Sequence, residues 1–347
     1  VERWRAGYDA PGRLSFKGSR TVPTVTDEHV YTTGGFGHVT CFDRATRSIA
    51  WHVDMREAFA GQQPTWGWCA HPLLTMGLVI AAPMGGASTL IGLSAATGEV
   101  RWRSEFLGHS HSTPVEVVLR GRRQVLFSST PEADNSLDKS APAWIVSIDP
   151  DTGKLIWKHE LKLSAIPIPP PVVVDDERFF VTGGYRSGSK LLRLDRIDGA
   201  WRIEELFSIK RGSQVHPPIV VGEHLYALVN ENWNDSRRRR DEGGLMCLGL
   251  DGKERWRTGN SPYLGRGGLL RLADALIVVD GFDGTVRAVR LDPEKYQELG
   301  AFSPFPERRD DGQLWAPPAM SGSVLLIRSQ TELLALEMAP KPLDRAR

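Results

Sequence analysis

A seven-bladed, all-β propeller of four-stranded blades is the fold this sequence predicts, with eight blades as the alternative count. Three observations carry it. First, a tight polar turn followed by a Trp-bearing strand recurs. It runs from Asp43-Arg44-Ala45-Thr46-Arg47 to Trp51, from Ser94-Ala95-Ala96-Thr97-Gly98-Glu99 to Trp102, and from Asp149-Pro150-Asp151-Thr152-Gly153-Lys154 to Trp157; Asp251-Gly252-Lys253 to Trp256 is a shortened form. These tryptophans are 51, 55 and 99 residues apart, and a period near fifty marks a repeat architecture. Second, short apolar runs alternate with turn residues along the chain, and no stretch reads as a long amphipathic helix. Third, the two ends complement each other. The last repeat stops at Leu333-Leu334-Ala335-Leu336-Glu337 with no Trp strand, whereas Val1-Glu2-Arg3-Trp4-Arg5 reads like Glu254-Arg255-Trp256-Arg257. A ring closed by residues 1–6, as the outer strand of the last blade, would leave no open sheet edge.

The blades follow in order. The first, about 20–54, opens at Val22-Pro23-Thr24-Val25 and continues through Val30-Tyr31-Thr32, His38-Val39-Thr40-Cys41-Phe42 and Ile49-Ala50-Trp51. The second, about 70–105, opens at His71-Pro72-Leu73-Leu74, and the third, about 111–160, at Thr113-Pro114-Val115. The fourth (167–208) opens at Pro170-Pro171-Val172-Val173-Val174 but departs from the pattern, with Asp198-Gly199, an early Trp201, and Phe207 near the usual Trp position. The fifth (215–258) opens at Pro217-Pro218-Ile219. The sixth (264–302) begins at Gly268-Leu269-Leu270 and carries Asp292-Pro293 and Tyr296 without Thr-Gly; the seventh (315–338) opens at Pro317-Pro318-Ala319. One domain over residues 1–347 is expected, and four-stranded blades around an axis are the architecture these units build.

Composition sets the outer limits. A chain of 347 residues buries a large core, and a formal net charge of +1 gives no field favouring nucleic acid or a membrane surface. No apolar run approaches the roughly 20 residues a transmembrane helix needs. The three cysteines, Cys41, Cys69 and Cys247, fall in different repeats; they make no disulfide framework and have no metal-ligand spacing. The chain begins at Val1 rather than Met, which is read as an initiator and a targeting segment lying outside it. A periplasmic or secreted monomer is the expectation, with one domain of a longer chain as the alternative.

These motifs resemble the PQQ-like (quinoprotein-type) β-propeller repeat, whose signature is roughly A-x-D-x-x-T-G-x-x-x-W. The resemblance covers nearly the whole chain. Trp66-Gly67-Trp68…His71-Pro72 and Ser112-Thr113-Pro114…Arg123-Gln124-Val125 are also similar to PQQ-like proteins of planctomycete-type bacteria. The family implies that Trp4, Trp51, Trp102, Trp157 and Trp256 are structural, each docking between blades while Thr-Gly makes the turn that positions it. It implies two roles as well: periplasmic dehydrogenases holding pyrroloquinoline quinone and calcium on the axis, and cofactor-free propeller lipoproteins of outer-membrane assembly.

The loops separate into two sets. The turns after the first and third strands of each blade are short, whereas Asp54 to Cys69, Thr130 to Ala143, Asn230 to Gly244 and Ala301 to Trp315 are long. Long loops on one side of a rigid scaffold are where binding sites gather. Trp66, Trp68, His71, His109, His111, His216, Arg266 and Trp315 lie on that side, at or just before innermost strands, and are expected around the mouth of a central channel. Imidazoles, indoles and a guanidinium there suit an anionic or aromatic ligand, or a metal. Solvated, hydrogen-bonded rim residues are the plainer reading. Asn230 to Glu242, with Arg237-Arg238-Arg239-Arg240, reads as a solvated loop with internally paired charge, with calcium or polyanion binding as the alternative; Glu132-Ala133-Asp134-Asn135 with Asp138 reads as loop turns, with a polar site as the alternative. Gly34-Gly35-Phe36-Gly37 lies between strands and is no phosphate loop, and Gly184-Tyr185-Arg186-Ser187-Gly188 is a hairpin turn rather than a nucleophile elbow.

The chain lacks the adjacent Cys-Cys pair that the resemblance associates with quinone dehydrogenases, and it lacks a Cys-x-x-Cys-His haem site. The expected function is therefore a cofactor-free binding or assembly module, with a protein or polymer partner on the long-loop face and no nucleic acid. The alternative is a quinone- or metal-dependent oxidoreductase, with pyrroloquinoline quinone and calcium held by Trp66, Trp68, His71, His111, His216, Arg266 and Trp315.

Overall fold

The computed structural model describes residues 4–14, 18–131, 141–164, 166–231, 242–305 and 313–338. The chain is all-β, with seven blades of antiparallel strands in the β-propeller architecture and, among the described residues, one short helix, α1 (Met55–Phe59). It packs as two compact units, Val1–Ser208 and Ile209–Arg347.

The first unit holds four sheets, each a four-stranded meander. They are β1 (Thr24–Val25), β2 (His29–Thr33), β3 (His38–Asp43) and β4 (Ile49–Asp54); β5 (Leu73–Thr75), β6 (Leu78–Ala81), β7 (Ile91–Ser94) and β8 (Val100–Arg103); β9 (Val115–Leu119), β10 (Arg122–Ser129), β11 (Ala141–Ile148) and β12 (Leu155–Leu163); and β13 (Val172–Val173), β14 (Arg178–Gly183), β15 (Gly188–Ile197) and β16 (Ala200–Ile209). The second unit holds three: β17 (Ile219–Val221), β18 (His224–Leu228), β19 (Leu245–Gly249) and β20 (Glu254–Arg257); β21 (Gly268–Leu272), β22 (Ala275–Val279), β23 (Val286–Arg290) and β24 (Glu298–Phe302); and β25 (Ala319–Ser321), β26 (Val324–Arg328) and β27 (Leu333–Glu337). The seventh sheet thus has three strands among the described residues. The expected closing strand is not seen there: Val1–Arg3 lie outside the described residues, Trp4–Ala6 take no strand conformation, and Trp4 is 40% exposed.

The second and third strands of the first six sheets are largely buried because both of their faces are covered, so most read as apolar runs, whereas β27, the third strand of the seventh, is exposed or half-buried along its length. The outer strand alternates instead. In β4, β8 and β12 the Trp points inward and its neighbours are exposed or partly so. A β-bulge sets that phase. The register slips at Cys41/Phe42, Gly92/Leu93, Ser147/Ile148, Cys247/Leu248 and Ala288/Val289, at the same place on the third strand in five sheets. The residue paired with each Trp is small: Cys41 with Trp51, Gly92 with Trp102, Ser147 with Trp157, Cys247 with Trp256. A Cβ on Gly92 would stand 2.3 Å from the Trp102 ring, which explains the choice. Cys41 and Cys247 are small core residues in this series, and burial pushes both thiols up to about 11.

Three of the repeat's indoles pack on the turn of the next blade. Trp51 lies against Gly98 and donates to the Ala95 carbonyl at 2.9 Å; Trp102 lies against Gly153 and donates to the Pro150 carbonyl at 3.0 Å. Trp256 donates to the Asp292 carbonyl at 2.8 Å and meets Tyr296 edge-on, so the sixth blade's Asp-Pro turn serves the purpose of Thr-Gly. Roughly 200 Å² leaves water with each ring, on the order of 4 to 5 kcal/mol of hydrophobic driving force. The turn itself is built by side chains. Asp43 accepts from the backbone N–H and hydroxyl of Thr46, and Asp149 accepts from the Thr152 N–H and hydroxyl. Gly98 and Gly153 adopt φ +74° and +68°, where a side chain would be strained and would also strike the Trp.

Trp157 is the exception. The fourth blade replaces the Thr-Gly turn with Asp198-Gly199, at φ +51° and +80°, joining two ten-residue strands directly. A two-residue Asp-Gly hairpin leaves no loop carbonyl for an incoming indole. The Trp157 N–H goes instead to Oε1 of the fully buried Gln124 at 2.9 Å; the same oxygen accepts from Ser147 Oγ at 2.6 Å, and the amide nitrogen donates to the Leu119 carbonyl.

Candidate functional site

In the first unit the long loop after β4 is organised by Asp54. Its carboxylate accepts from the Arg56 N–H at 2.8 Å and so caps α1, which ends at Ala60 with φ +51° and buries Met55 and Phe59. The loop then reverses at Gly67, φ +82°, and this turn separates two tryptophans that look alike in sequence. Trp68 is fully buried. Its ring lies against Gly37, its indole N–H donates to the Ala82 carbonyl at 3.0 Å, and its backbone N–H binds the Gly35 carbonyl. Trp66 stays partly open. Its carbonyl accepts from Arg20 Nε at 2.9 Å, and its ring sits 5.3 Å from the His111 ring, tilted by 59°.

The histidines divide similarly. His111 is buried, its backbone N–H bound to the Pro167 carbonyl, in a Ser110-His111-Ser112 turn fixed by Ser110 Oγ, which donates to the Ser128 carbonyl and accepts from the Ser112 N–H. His109 pairs by backbone with Thr130 and meets the exposed Phe106 edge-on at 5.2 Å. His71 donates its backbone N–H to Thr113 Oγ1, and burial holds its imidazole below the ordinary histidine value, hence neutral at pH 7.

In the second unit three residues form one device. Arg266, 4% exposed, donates through Nη2 to Gln313 Oε1 at 2.5 Å; the Trp315 indole N–H donates to the same oxygen at 2.7 Å. The guanidinium stands 5.3 Å from the Trp315 ring centre. Trp315 nonetheless remains 40% exposed, so the ring is held in place while presenting a face to solvent. His216 lies half-buried before β17. Asp280 is buried and its carboxyl is pushed up by desolvation, although it accepts from the Phe282 N–H at 2.7 Å. Asn230 and Glu231, the start of one long loop, are also buried. The remainder of that loop to Asp241, with its four arginines, and Glu132 to Asp138 lie outside the described residues.

Of the residues expected at the site, Trp66, Trp68, His71 and His111 belong to the first unit, and His216, Arg266 and Trp315 to the second. Several participants were not anticipated. Gln313 joins Arg266 to Trp315, Arg20 pins the Trp66 loop, and Phe106 is an exposed aromatic beside His109. On the first blade Tyr8, from the N-terminal segment, packs at 5.3 Å from His38 and 4.8 Å from His52, and those two imidazoles stack at 5.2 Å. His38 meets the Asp54 carboxylate at 3.3 Å, and Arg56 binds the same carboxylate at 2.8 Å, which holds Asp54 at about 2. Burial, more than the neighbouring charges, holds His38 below its ordinary value. Only the Asp54–Arg56 part is local enough to be visible in sequence.

A quinone with calcium needs an open aromatic face and a convergent set of oxygen ligands. Trp68 has no open face, Arg266 is already engaged by Gln313 and Trp315, and among the described residues no group of three or more His, Cys, Asp or Glu can hold a metal ion. Trp66 and Trp315 keep partly open faces.

Comparison with known proteins adds the wider context. A family model described as outer membrane protein assembly factor BamB matches residues 2–135 and 141–342. Among solved structures the chain is similar to BamB from Moraxella catarrhalis, at 16% identity and a TM-score of 0.59, covering 91% of this chain and 81% of that one. It is also similar to a europium-containing methanol dehydrogenase, at 11% identity and a TM-score of 0.60, covering 88% and 72%. A quinohemoprotein alcohol dehydrogenase from Pseudomonas putida HK5 aligns at 14% identity and a TM-score of 0.52, covering 88% and 62%. At these identities the structural likeness establishes the fold alone. No curated protein matches the sequence.

Proposed function

The chain belongs to the family of BamB-like, PQQ-type propellers, and from that premise we propose that it is a non-catalytic binding or assembly scaffold, acting through the long-loop ends of its blades on a protein or polymer partner. The observation that carries this is Trp315: an exposed indole held by Gln313 and backed by the buried Arg266. Trp and Arg dominate the residues on which protein interfaces depend, because a large rigid ring gains contact area at little entropic cost. Trp66, fixed through its carbonyl by Arg20, is a second such ring in the first unit. The family's description ties its members to outer-membrane protein assembly, and a periplasmic or secreted location is proposed with it. Among the described residues no helix is long and apolar enough to cross a membrane.

The test is site-specific photo-cross-linking in the native host, with p-benzoylphenylalanine at position 315 and, as control, at position 155 on an outer strand. A discrete adduct from position 315 that position 155 does not give supports the scaffold. Equal adducts from both positions, or none, overturn it. Titration calorimetry with pyrroloquinoline quinone, with and without calcium, separates the enzyme reading: stoichiometric heat lost in Trp315→Ala would replace the scaffold with a quinone site.

A further inference from the structure

Gly34-Gly35-Phe36-Gly37, the loop joining β2 to β3 on the first blade, seats the N-terminal segment. Residues 8–14 cross it without regular secondary structure, and each small residue leaves room for one contact. A Cβ on Gly34 would stand 2.6 Å from the Tyr8 hydroxyl, and one on Gly35 2.7 Å from Leu14 Cδ1; one on Gly12 would strike the Phe36 ring. Leu14 also lies on the turn that presents Trp66, since a Cβ on Gly67 would come within 2.9 Å of its Cδ2. Tyr8, Ala10 and Leu14 are half-buried, whereas Asp9 and Pro11 to Arg13 are exposed. Among the described residues no backbone hydrogen bond joins residues 8–14 to the blade, so packing holds them there.

What Tyr8 covers is a pair of imidazoles. Its ring packs on both His38 and His52, which stack on each other with planes 21° apart. His52 Nδ1 shares a hydrogen bond with Thr40 Oγ1 at 2.8 Å. His38 is buried, its Nε2 3.3 Å from Arg56 Nη2 and 3.3 Å from Asp54 Oδ2, and its Nδ1 is buried without a partner. The groups facing His38 are therefore Asp54 and His52 of β4, Arg56 and Glu57 of α1, and Tyr8. A neutral ring carries one proton and fits this setting. A charged ring carries two: an N–H at Nδ1 would be buried with nothing to accept it, and Arg56 would face a second cation. Asp54 offsets only part of this, because Arg56 and the start of α1 already engage it. Relief comes from water reaching the ring. The cover that can leave is Tyr8, since His52, Asp54 and Arg56 are built into β4 and α1.

We infer that residues 8–14 are an acid-released strap: when the His38–His52 stack takes up a proton, Tyr8 leaves it and Leu14 leaves Gly35 and Gly67, uncovering the backbone beside Trp66. Because the fold holds His38 neutral, the seated strap is favoured above the ordinary imidazole value of about 6.5. It is lost as pH falls through that value toward the lower one of buried His38. Asp54, at about 2, stays charged throughout this window. Release of the strap does not depend on which partner the long-loop ends bind.

The experiment follows the six tyrosine rings of the full chain by NMR with ¹³C labelling, from about pH 8 to about pH 5, with Tyr8→Phe assigning the Tyr8 signal. That signal is expected to move to the position of a solvated tyrosine with a midpoint below about 6.5, while near-UV circular dichroism shows the blades intact. An imidazole in cross-relaxation with the Tyr8 ring should titrate with the same midpoint in the unsubstituted chain. His38→Phe keeps a flat ring in the stack but takes no proton, and should hold Tyr8 in place down to about pH 5. A Tyr8 signal that does not move with pH overturns the proposal, as does an unchanged midpoint in His38→Phe. So do Tyr8 and imidazole midpoints more than about one unit apart, or movement of Tyr8 only together with loss of the near-UV signal.

Discussion

Two seams between blades solve the same problem by different chemistry. Between the first and second blades the solution is shape: Trp51 lies on the Gly98 turn, gives its N–H to the Ala95 carbonyl, and leaves the outer end of the seam open. Between the third and fourth blades the turn is missing, and the solution is polar: Gln124 takes the Trp157 N–H inside, and Arg120 closes the outer end with Glu177 and Asp195. The second seam keeps the motif and yet has Thr75 bonded to Glu116 and Arg123 across its rim, so the motif holds a seam without deciding how its rim is used. A seam that has lost the motif spends its rim residues on holding itself together.

The polar seam should break hardest. Gln124→Ala leaves two buried donors, the Trp157 indole and the Ser147 hydroxyl, without their acceptor, and a loss of about 3 to 4 kcal/mol is expected from two such groups. Gln124→Glu tests the cause. It restores the acceptors but buries a charge, so it should recover little of the loss. Urea denaturation reads both, and a loss below 1 kcal/mol in Gln124→Ala would mean that Trp157 finds another acceptor.

The regular seam should break through geometry. A Cβ at residue 98 would lie 2.8 Å from the Trp51 ring at a backbone φ of +74°. Gly98→Ala therefore combines left-handed strain with displacement of a core ring, about 2 to 3 kcal/mol together. Gly77, in the second blade's outer turn, also has positive φ, but nothing lies within 4 Å of its would-be Cβ. Gly77→Ala should cost only the strain, about 1 kcal/mol, and equal losses at the two positions would remove Trp docking from the explanation.

How much of this could be read from sequence follows from the range of the interactions. Trp51, Trp102 and their turns are legible because the motif is local: Asp or Ser, Thr-Gly and Trp lie within a dozen residues. Asp198-Gly199 announces that the fourth blade departs from the pattern. That Gln124, in the preceding blade, compensates is visible only once the blades are side by side. Trp66 and Trp68 show the limit most plainly. Two residues apart, they read as equivalent ligands, yet the turn at Gly67 sends Trp68 into the core against Gly37 and leaves Trp66 beside His111. Gln313 likewise carries no motif; its role exists only because its oxygen meets Arg266 and Trp315 together.

The rim of the polar seam comes next in size. Arg120→Ala removes three side-chain contacts from a partly exposed network, and about 1 to 2 kcal/mol is expected, part of it from the buried stem. The loss should shrink in high salt, because the charged part is screened. A salt-independent loss would assign the effect to packing alone.

The smallest effect is the sharpest comparison. Met76-Gly77 and Arg120-Gly121 are the same turn in neighbouring blades, and both place a side chain where φ is positive. Asn tolerates that conformation better than Met or Arg, and Asn-Gly is the preferred pair for such a hairpin. At position 76 nothing opposes the gain, since the exposed side chain holds no seam closed; Met76→Asn should stabilise the protein by about 0.5 kcal/mol. At position 120 the same local gain is outweighed by the lost bridge to the fourth blade, and Arg120→Asn should destabilise. If both substitutions destabilise, Met76 has a structural role in the first seam. Opposite signs mean that the arginine's strain is offset by its own bridge, whereas the methionine's strain has no such offset within the fold.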